Sequence, residues 1–339
     1  LAILDEASLA GTHSLDQITR EAEWAGAKVL LVGDVAQLQA VDVGGAFSLL
    51  VHDRDGDTPE LTQVWRLQHA WEKRASLELR HGHQQVIDTY AGHGRVSGGT
   101  AEEMAEAAYQ AWWADKQAGR ASILIAETND NVTFLNERAR DDLIIAGYVD
   151  AERQIELHDG TSLGVGDTII TRKNDRRLRS ARGWVRNGER WIVTHVAEDG
   201  SVTVRSPTSR RGGSILLPAA YVANSVELGY AVTAYRAQGV TVDTAHTLVE
   251  PTTTREVLYV SMTRGRYENR AYVATDHPDV AHSIAHPGDD PDRTARAVLH
   301  GVLQHVGAER SAHETITAEQ DRWGGIAQLI AEYETIATA

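Results

Sequence analysis

The first third of this chain alternates unbroken apolar runs with amphipathic stretches. Leu1-Ala-Ile-Leu4 and Val29-Leu-Leu-Val32 are continuous hydrophobic runs ending on polar residues, the pattern of parallel strands buried on both faces. Ser14 to Ala25 between them predicts a helix, so the order reads β-α-β. Further helices are predicted over Ala70–His81, over Ala101–Ala118 and through Leu135-Asn136, with the apolar strand Ala121–Ala126 before the last. From Gly160 the period shortens. Asp167–Lys173, Arg190–Val196 and Ser201–Arg205 are β-branched runs, Glu198-Asp-Gly-Ser201 is a hairpin signal, and Gly212–Pro218 adds a fourth strand. This predicts a small antiparallel barrel inserted in an α/β domain.

After the insert, Tyr230–Ala237 reads as a helix that stops at Gln238-Gly239, where glycine permits a left-handed cap. Strands are expected at Val240–Val242, Ala245–Val249 and Ala271–Asp276, and a helix starting at Thr252–Arg255 leads to Arg264. The tail is helical: Ala295, Val298, Leu299, Val302, Leu303 and Val306 fall at helical spacing after Asp290-Pro291, and Ser311-Ala-His-Glu314 has the form of a capping box. The glycine-rich stretch Gly92–Gly99 is the expected boundary between two lobes. The domains are thus read as 1–98, then 99–159 with 226–280, the insert 160–225, and the tail 281–339.

Composition narrows the chemistry. The chain has 339 residues, enough for two or three small domains, and no cysteine, which excludes disulfides and thiolate metal sites. No run of about eighteen apolar residues and no signal-peptide pattern occurs, so a soluble, cytoplasmic protein is expected. None of the histidines stands in a His-Glu-x-x-His frame, and His81-x-His83 reads as a solvated turn. The chain opens on Leu1 inside a strand pattern, as a fragment would. A net charge of −15 argues against indiscriminate coating of nucleic acid. Locally the sign reverses: Arg172, Lys173, Arg176, Arg177, Arg179, Arg182, Arg186 and Arg190 face only Asp175 and Glu189, with Trp184 and Trp191 interleaved. Guanidinium groups meet phosphates and indoles stack on bases; the other reading is a solvated loop with both tryptophans in the barrel core.

Several short motifs carry the candidate chemistry. Asp5-Glu6 ends the first strand, and Gly33-Asp34-Val-Ala-Gln37 ends the second, where ligands of open α/β sheets bind. Both carboxylates can serve one site only if the strand stops there, since neighbours on a strand face opposite ways. Arg66 follows Trp65, and Thr128-Asn129 follows the strand Ala121–Ala126. Thr233-Ala-Tyr-Arg-Ala-Gln-Gly239 and Met262-Thr-Arg-Gly-Arg266 complete the set. In this order the motifs resemble those of RecD-like superfamily 1 DNA helicases, most closely the helicase part of actinobacterial conjugative relaxases of the TraA/TrwC type.

The resemblance implies the C-terminal part of one RecA-like domain, then a second RecA-like domain carrying an SH3-like β-barrel. It implies ATP and Mg²⁺ as cofactors and single-stranded DNA as partner, tracked 5′ to 3′. Asp5 would hold Mg²⁺, Glu6 would polarise the attacking water, Gln37 would sense the γ-phosphate with Asp34 beside it, and Arg66 would approach that phosphate. Arg264 would act as the arginine finger, with Arg266 a structural or ribose-side contact. Gln238-Gly239 would couple nucleotide to the DNA-facing Thr233 and Tyr235. Thr128 and Asn129 are candidates for the DNA backbone, although a helix N-cap accounts equally for either. Arg176, Arg177, Arg179 and Trp184 would grip the strand.

One motif of the family is absent. No Gly-x-x-x-x-Gly-Lys-Thr phosphate loop precedes the Asp5-Glu6 strand, and no relaxase tyrosine and three-histidine site occurs. Without that backbone cradle and its lysine the phosphates lose their main grip. The chain by itself is therefore expected neither to hydrolyse ATP nor to unwind DNA, its relaxase and phosphate loop lying upstream. Two other readings stay open: a stand-alone or nuclease-associated RecD-like subunit, and a non-catalytic DNA-binding scaffold.

Overall fold

The computed structural model describes residues 1–40, 45–54, 57–180, 183–207, 213–276 and 291–307. Val43-Gly44, Arg182, Gly212, Asp290 and the Ser311–Glu314 capping box lie outside the described residues. The chain divides into two compact units between Gln63 and Val64.

In the first unit β1 (Ala2–Leu4), α1 (Thr12–Trp24), β2 (Val29–Leu31) and α2 (Ala46–Asp53) follow one another, and β1 and β2 pair in parallel. Their inward residues Leu4 and Leu31 join Ala7, Leu15 and Phe47 in a small core. Burial on both faces is not observed. Ile3 is 63% exposed and Leu30 48%, because α1 and α2 serve only the face carrying Leu4 and Leu31.

The second unit opens with α3 (Ala70–Arg80), α4 (Gln85–Gly92), β3 (Val96–Gly99), α5 (Ala101–Gln117), β4 (Ser122–Ala126) and α6 (Asn129–Ile145). The insert follows as β5 (Ile155–Glu156), β6 (Ser162–Leu163), β7 (Thr168–Thr171), β8 (Asp175–Ser180), β9 (Gly183–Val185), β10 (Arg190–Val196), β11 (Val202–Arg205), β12 (Ile215–Leu217), α7 (Ala219–Ser225) and β13 (Val226–Leu228). The chain then returns through β14 (Ala231–Thr233), α8 (Ala234–Ala237), β15 (Val242–Val249), α9 (Arg255–Ser261), β16 (Gly265–Ala274) and α10 (Pro291–Gln304). The main sheet has the order β14-β4-β15-β16-β3 with every pairing parallel. The insert forms a separate antiparallel sheet, β12-β11-β10-β7-β13.

Four sequence expectations change. Gly92–Gly99 contains β3, the edge strand of the main sheet; α3 and α4 share a core with β15, β16 and α10, so the lobe boundary read there falls inside the second unit. The helix expected over Tyr230–Ala237 is a strand followed by one helical turn, because β-branched Val232 and Thr233 find a parallel ladder on β4. Gly239 does take the expected left-handed conformation, at φ 78°. The two strands expected around Val240–Val249 are one, β15. Finally α10 is no separate tail: Ala295, Leu299, Val302 and Leu303 are buried in the core beside α4 and β16.

A buried polar joint ties the insert to the parallel sheet. Arg140 of α6 donates to Asp167 Oδ2 at 3.0 Å, Gly164 N donates to the same oxygen at 2.6 Å, and the Tyr230 hydroxyl donates to Oδ1. Burial pushes the Asp167 carboxyl up, opposed by the Tyr230 hydrogen bond and the Arg140 charge.

Candidate functional site

In the first unit the backbone decides where the two acids point. β1 stops at Leu4, and Glu6 adopts φ 52°, ψ 43°, the left-handed region, the one non-glycine positive φ among the described residues. Such a conformation is costly without glycine and tends to mark functional turns. The strand therefore ends where two carboxylates serving one site require it to. Asp5 Oδ1 accepts the Glu6 N–H at 3.0 Å, and the Asp5 side chain is exposed. Mg²⁺ keeps several waters and takes one or two carboxylates, so an exposed strand-end aspartate fits it. Among the described residues no group of three or more His, Cys, Asp or Glu side chains is placed to hold a metal ion.

At the end of β2, Asp34 organises its own turn. Its Oδ1 accepts from Ala36 N at 3.1 Å and its Oδ2 from the Gln37 side-chain amide at 3.1 Å, while Gln37 N bonds the Asp34 carbonyl at 3.1 Å. Asp34 thus orients Gln37 within the first unit.

In the second unit the parallel register brings the DNA candidates to one sheet edge. Thr233 pairs with Ala126 across β14 and β4, so Thr233 and Thr128 stand at the carboxyl ends of adjacent strands. Thr128 is the N-cap of α6: its hydroxyl accepts the Asn131 N–H at 3.2 Å. Asn129 is the exposed first residue of α6. Thr233 is the N-cap residue of α8 without a side-chain cap bond, and Tyr235 is 47% exposed. Gln238 and Gly239 end that single turn.

Arg264 is 2% exposed. Nε donates to Val260 O at 2.7 Å, Nη2 to Thr263 Oγ1 at 2.8 Å and Nη1 to Ala237 O at 3.5 Å. The last bond joins the end of α9 to the end of α8. Arg66 lies against the same segment, its Nη1 donating to Thr263 O at 2.8 Å, and Gln68 N donates to Arg266 O at 2.9 Å.

The basic run is sorted by its partners. Arg172 pairs with Glu227 at 2.6 Å, and Arg177 pairs with Asp175 at 2.9 Å, holding that carboxyl down at about 2. Burial pulls the Arg190 guanidinium down to about 10. Trp191 is buried in the hydrophobic core that the insert shares with α5, β4 and α6. Trp184 is half-buried, with Arg176 and Arg186 against its ring.

Sequence reasoning missed the residues that hold these motifs. Asn269 Oδ1 accepts from Gly265 N at 2.6 Å, and its amide donates to Gly265 O at 3.0 Å and to Glu72 Oε1 at 2.9 Å. This fastens the residue between Arg264 and Arg266 to α3. A Cβ at Gly265 would lie 2.1 Å from Glu268 O, so only glycine fits. Glu227, between apolar neighbours in β13, binds both Arg172 and Arg236, the latter at 2.9 Å. Its one sequence signal was a lone charge between Val226 and Leu228; Asn269 and Glu72 are 197 positions apart and gave none.

Residues 1–101 match a family model described as an AAA domain. The chain is 33% identical over 275 residues to a probable conjugal transfer protein TraA of Sinorhizobium fredii, covering 80% of this chain and 24% of that protein. It is 28% identical over 280 residues to the ATP-dependent RecD2 DNA helicase of Deinococcus radiodurans, covering 78% and 35%. The chain thus spans about a quarter to a third of the length of these relatives. The fold matches a Pif1 helicase from Bacteroides, solved with ADP-AlF3 and ssDNA, at TM-score 0.51 and 19% identity, over 80% of this chain and 70% of that one. The sequence similarity leads to one conclusion: over the matched residues this chain is a homologue of the TraA conjugal transfer proteins and of the RecD2 DNA helicase.

Proposed function

We propose that this chain is a segment of an ATP-driven, single-strand-tracking DNA helicase of the conjugative transfer type, working 5′ to 3′ in the cytoplasm. The observation that carries this reading is the position of α8. Its single turn has Thr233 at one end, on the sheet edge with Thr128 and Asn129, and the Ala237 carbonyl at the other, bonded to Arg264. One rigid turn thereby links a DNA-facing edge to Arg264. A displacement of either end must move the other.

Mg²⁺-ATP, when bound, supplies the free energy of phosphoryl transfer to water. The residues assigned to it by resemblance are Asp5 for the metal, Glu6 for the proton of the attacking water, and Gln37, oriented by Asp34, for the γ-phosphate. Arg66 and Arg264 carry the positive charge that such transfers need, and Gln238-Gly239 follows the state of the nucleotide. On the DNA side Thr233 and Tyr235 join Asn129 on the sheet edge, and the insert, taken as an SH3-like grip, adds Arg176, Arg177 and Arg179. Similarity to RecD2 favours as second reading a helicase not coupled to a relaxase.

Binding of a labelled oligo-dT strand by fluorescence anisotropy tests the DNA half. Tighter binding to single strands than to duplex is expected, weakened by Tyr235→Ala. Neutralising Arg176, Arg177 and Arg179 should flatten its salt dependence, with Arg177 contributing least because Asp175 already pairs it. Equal affinity for both forms, or none, would remove the helicase reading. Polarity is read from 5′- and 3′-tailed duplexes with a polypeptide that also carries a phosphate loop.

A further inference from the structure

We infer that Trp184 is a spacer for two phosphate-binding guanidinium groups, Arg176 and Arg186, and is not itself a base-stacking platform. This rests on the proposed single-strand reading and specifies how the insert contacts the strand.

The argument begins with the register of the β8–β9 hairpin. Asp175 pairs with Val185 and Arg179 pairs with Trp184, so residues 176–178 have no opposite number. The extra residues form a bulge, which re-aims side chains. Leu178 turns inward against the barrel core, Arg177 turns to Asp175, and Arg176 turns to Trp184. Arg179 Nε donates to Arg176 O at 2.8 Å and closes the bulge. On the far side of the hairpin, Arg186 is fixed by its backbone: its N–H donates to Glu189 Oε2 at 2.9 Å and its carbonyl accepts from Thr171 Oγ1 at 2.6 Å.

Both guanidinium carbons then lie against one indole, Arg176 at 5.5 Å and Arg186 at 5.4 Å from its ring centroid. Attraction to an aromatic face uses the cation's charge and none of its N–H donors. A carboxylate partner would have consumed those donors, as Glu227 does for Arg172 and Asp175 for Arg177. Among the described residues neither Arg176 nor Arg186 has such a partner. The hairpin therefore presents two oriented forks with their donors unspent, the geometry that phosphodiester oxygens take. A base stacking on a face that a guanidinium covers would have to displace it first.

The experiment is oligo-dT binding against NaCl concentration, with the 339-residue chain and the variants R176Q/R186Q, W184F, W184L and R186K. Each phosphate neutralised on a single strand contributes about 0.7 to the slope of log K against log salt. R176Q/R186Q should lose about 1.4 from that slope. R186K and W184F should keep the slope. W184L, with both charges but no ring, should bind several-fold more weakly. All the altered side chains except Trp184 are exposed, and thermal melting confirms that each variant is folded.

An unchanged slope in R176Q/R186Q, with the parent slope measurable, overturns the inference and leaves the helicase reading standing. So does a W184L variant that binds like the parent. Displacement of the strand by inorganic pyrophosphate at equal ionic strength and similar concentration overturns it in favour of a free-anion site. A parent chain with no salt-dependent single-strand binding removes the helicase reading and this inference together.

Discussion

The Arg66 guanidinium donates to the Thr263 carbonyl at 2.8 Å, tying this arginine to the loop that carries Arg264. Both arginines are thus parts of one hydrogen-bonded assembly within the second unit, and a charged donor to a carbonyl contributes about 1.5–3 kcal/mol. Arg66→Ala should destabilise the chain by about that amount in urea unfolding, with no nucleotide present. Unaltered stability would mean Arg66 acts on ligand alone.

Asn269 makes three hydrogen bonds in a buried setting, two of them to Gly265. Its removal takes from Gly265 N–H and Glu72 Oε1 the partner that Asn269 provides. Asn269→Ala is expected to cost about 3 kcal/mol, from two buried groups at about 1–3 kcal/mol each. Gly265→Ala should be at least as damaging, since the added carbon would sit 2.1 Å from a carbonyl oxygen. Wild-type-like melting of the alanine variant at 265 would show that the loop can move aside.

Burial pushes the Glu72 carboxyl above its ordinary value of 4.5, opposed by the Asn269 hydrogen bond and the Arg95 charge. Between the unfolded and folded values the folded chain holds the proton and the unfolded chain does not. This group's contribution to stability is therefore present below 4.5 and lost as pH rises through the folded value. Glutamine cannot ionise and can still accept from Asn269. The melting temperature of Glu72→Gln should match the parent in acid, exceed it by a gap that widens as pH rises above 4.5, and hold a constant gap above the folded value. A gap that does not vary with pH would show that Glu72 ionises as freely as in the unfolded chain.

Phosphate release from ATP by the 339-residue chain should stay at background with or without single-stranded DNA, because the sequence contains no phosphate loop to cradle the β- and γ-phosphates. DNA-stimulated release that Asp5→Asn abolishes would show that another part of the chain supplies that grip.

Much of the site was legible residue by residue. Asp5-Glu6, Gln37, Thr233 and Arg264 stand in short motifs whose chemistry is local, and β-α-β alternation alone puts the acids at strand ends. The strand Ala231–Thr233 was misread because its neighbours Tyr235 to Ala237 are helical and three residues are too few to show a period. Arg177 and Arg176 look alike in sequence; a bulge sends one to Asp175 and the other to Trp184.

The sequence by itself determined which groups are present: carboxylates after one apolar run, an amide after the next, arginines at two later motifs, and a basic hairpin in an acidic chain. Periodicity and turn chemistry are local, so they survive in one dimension. Only the tertiary structure decided which of these groups are held and by what. Asn269 on Gly265, Arg66 on Thr263 and Glu227 between Arg172 and Arg236 join residues far apart in the chain. Such pairs form when packing has already spent the entropy of bringing them together, and no local pattern encodes them.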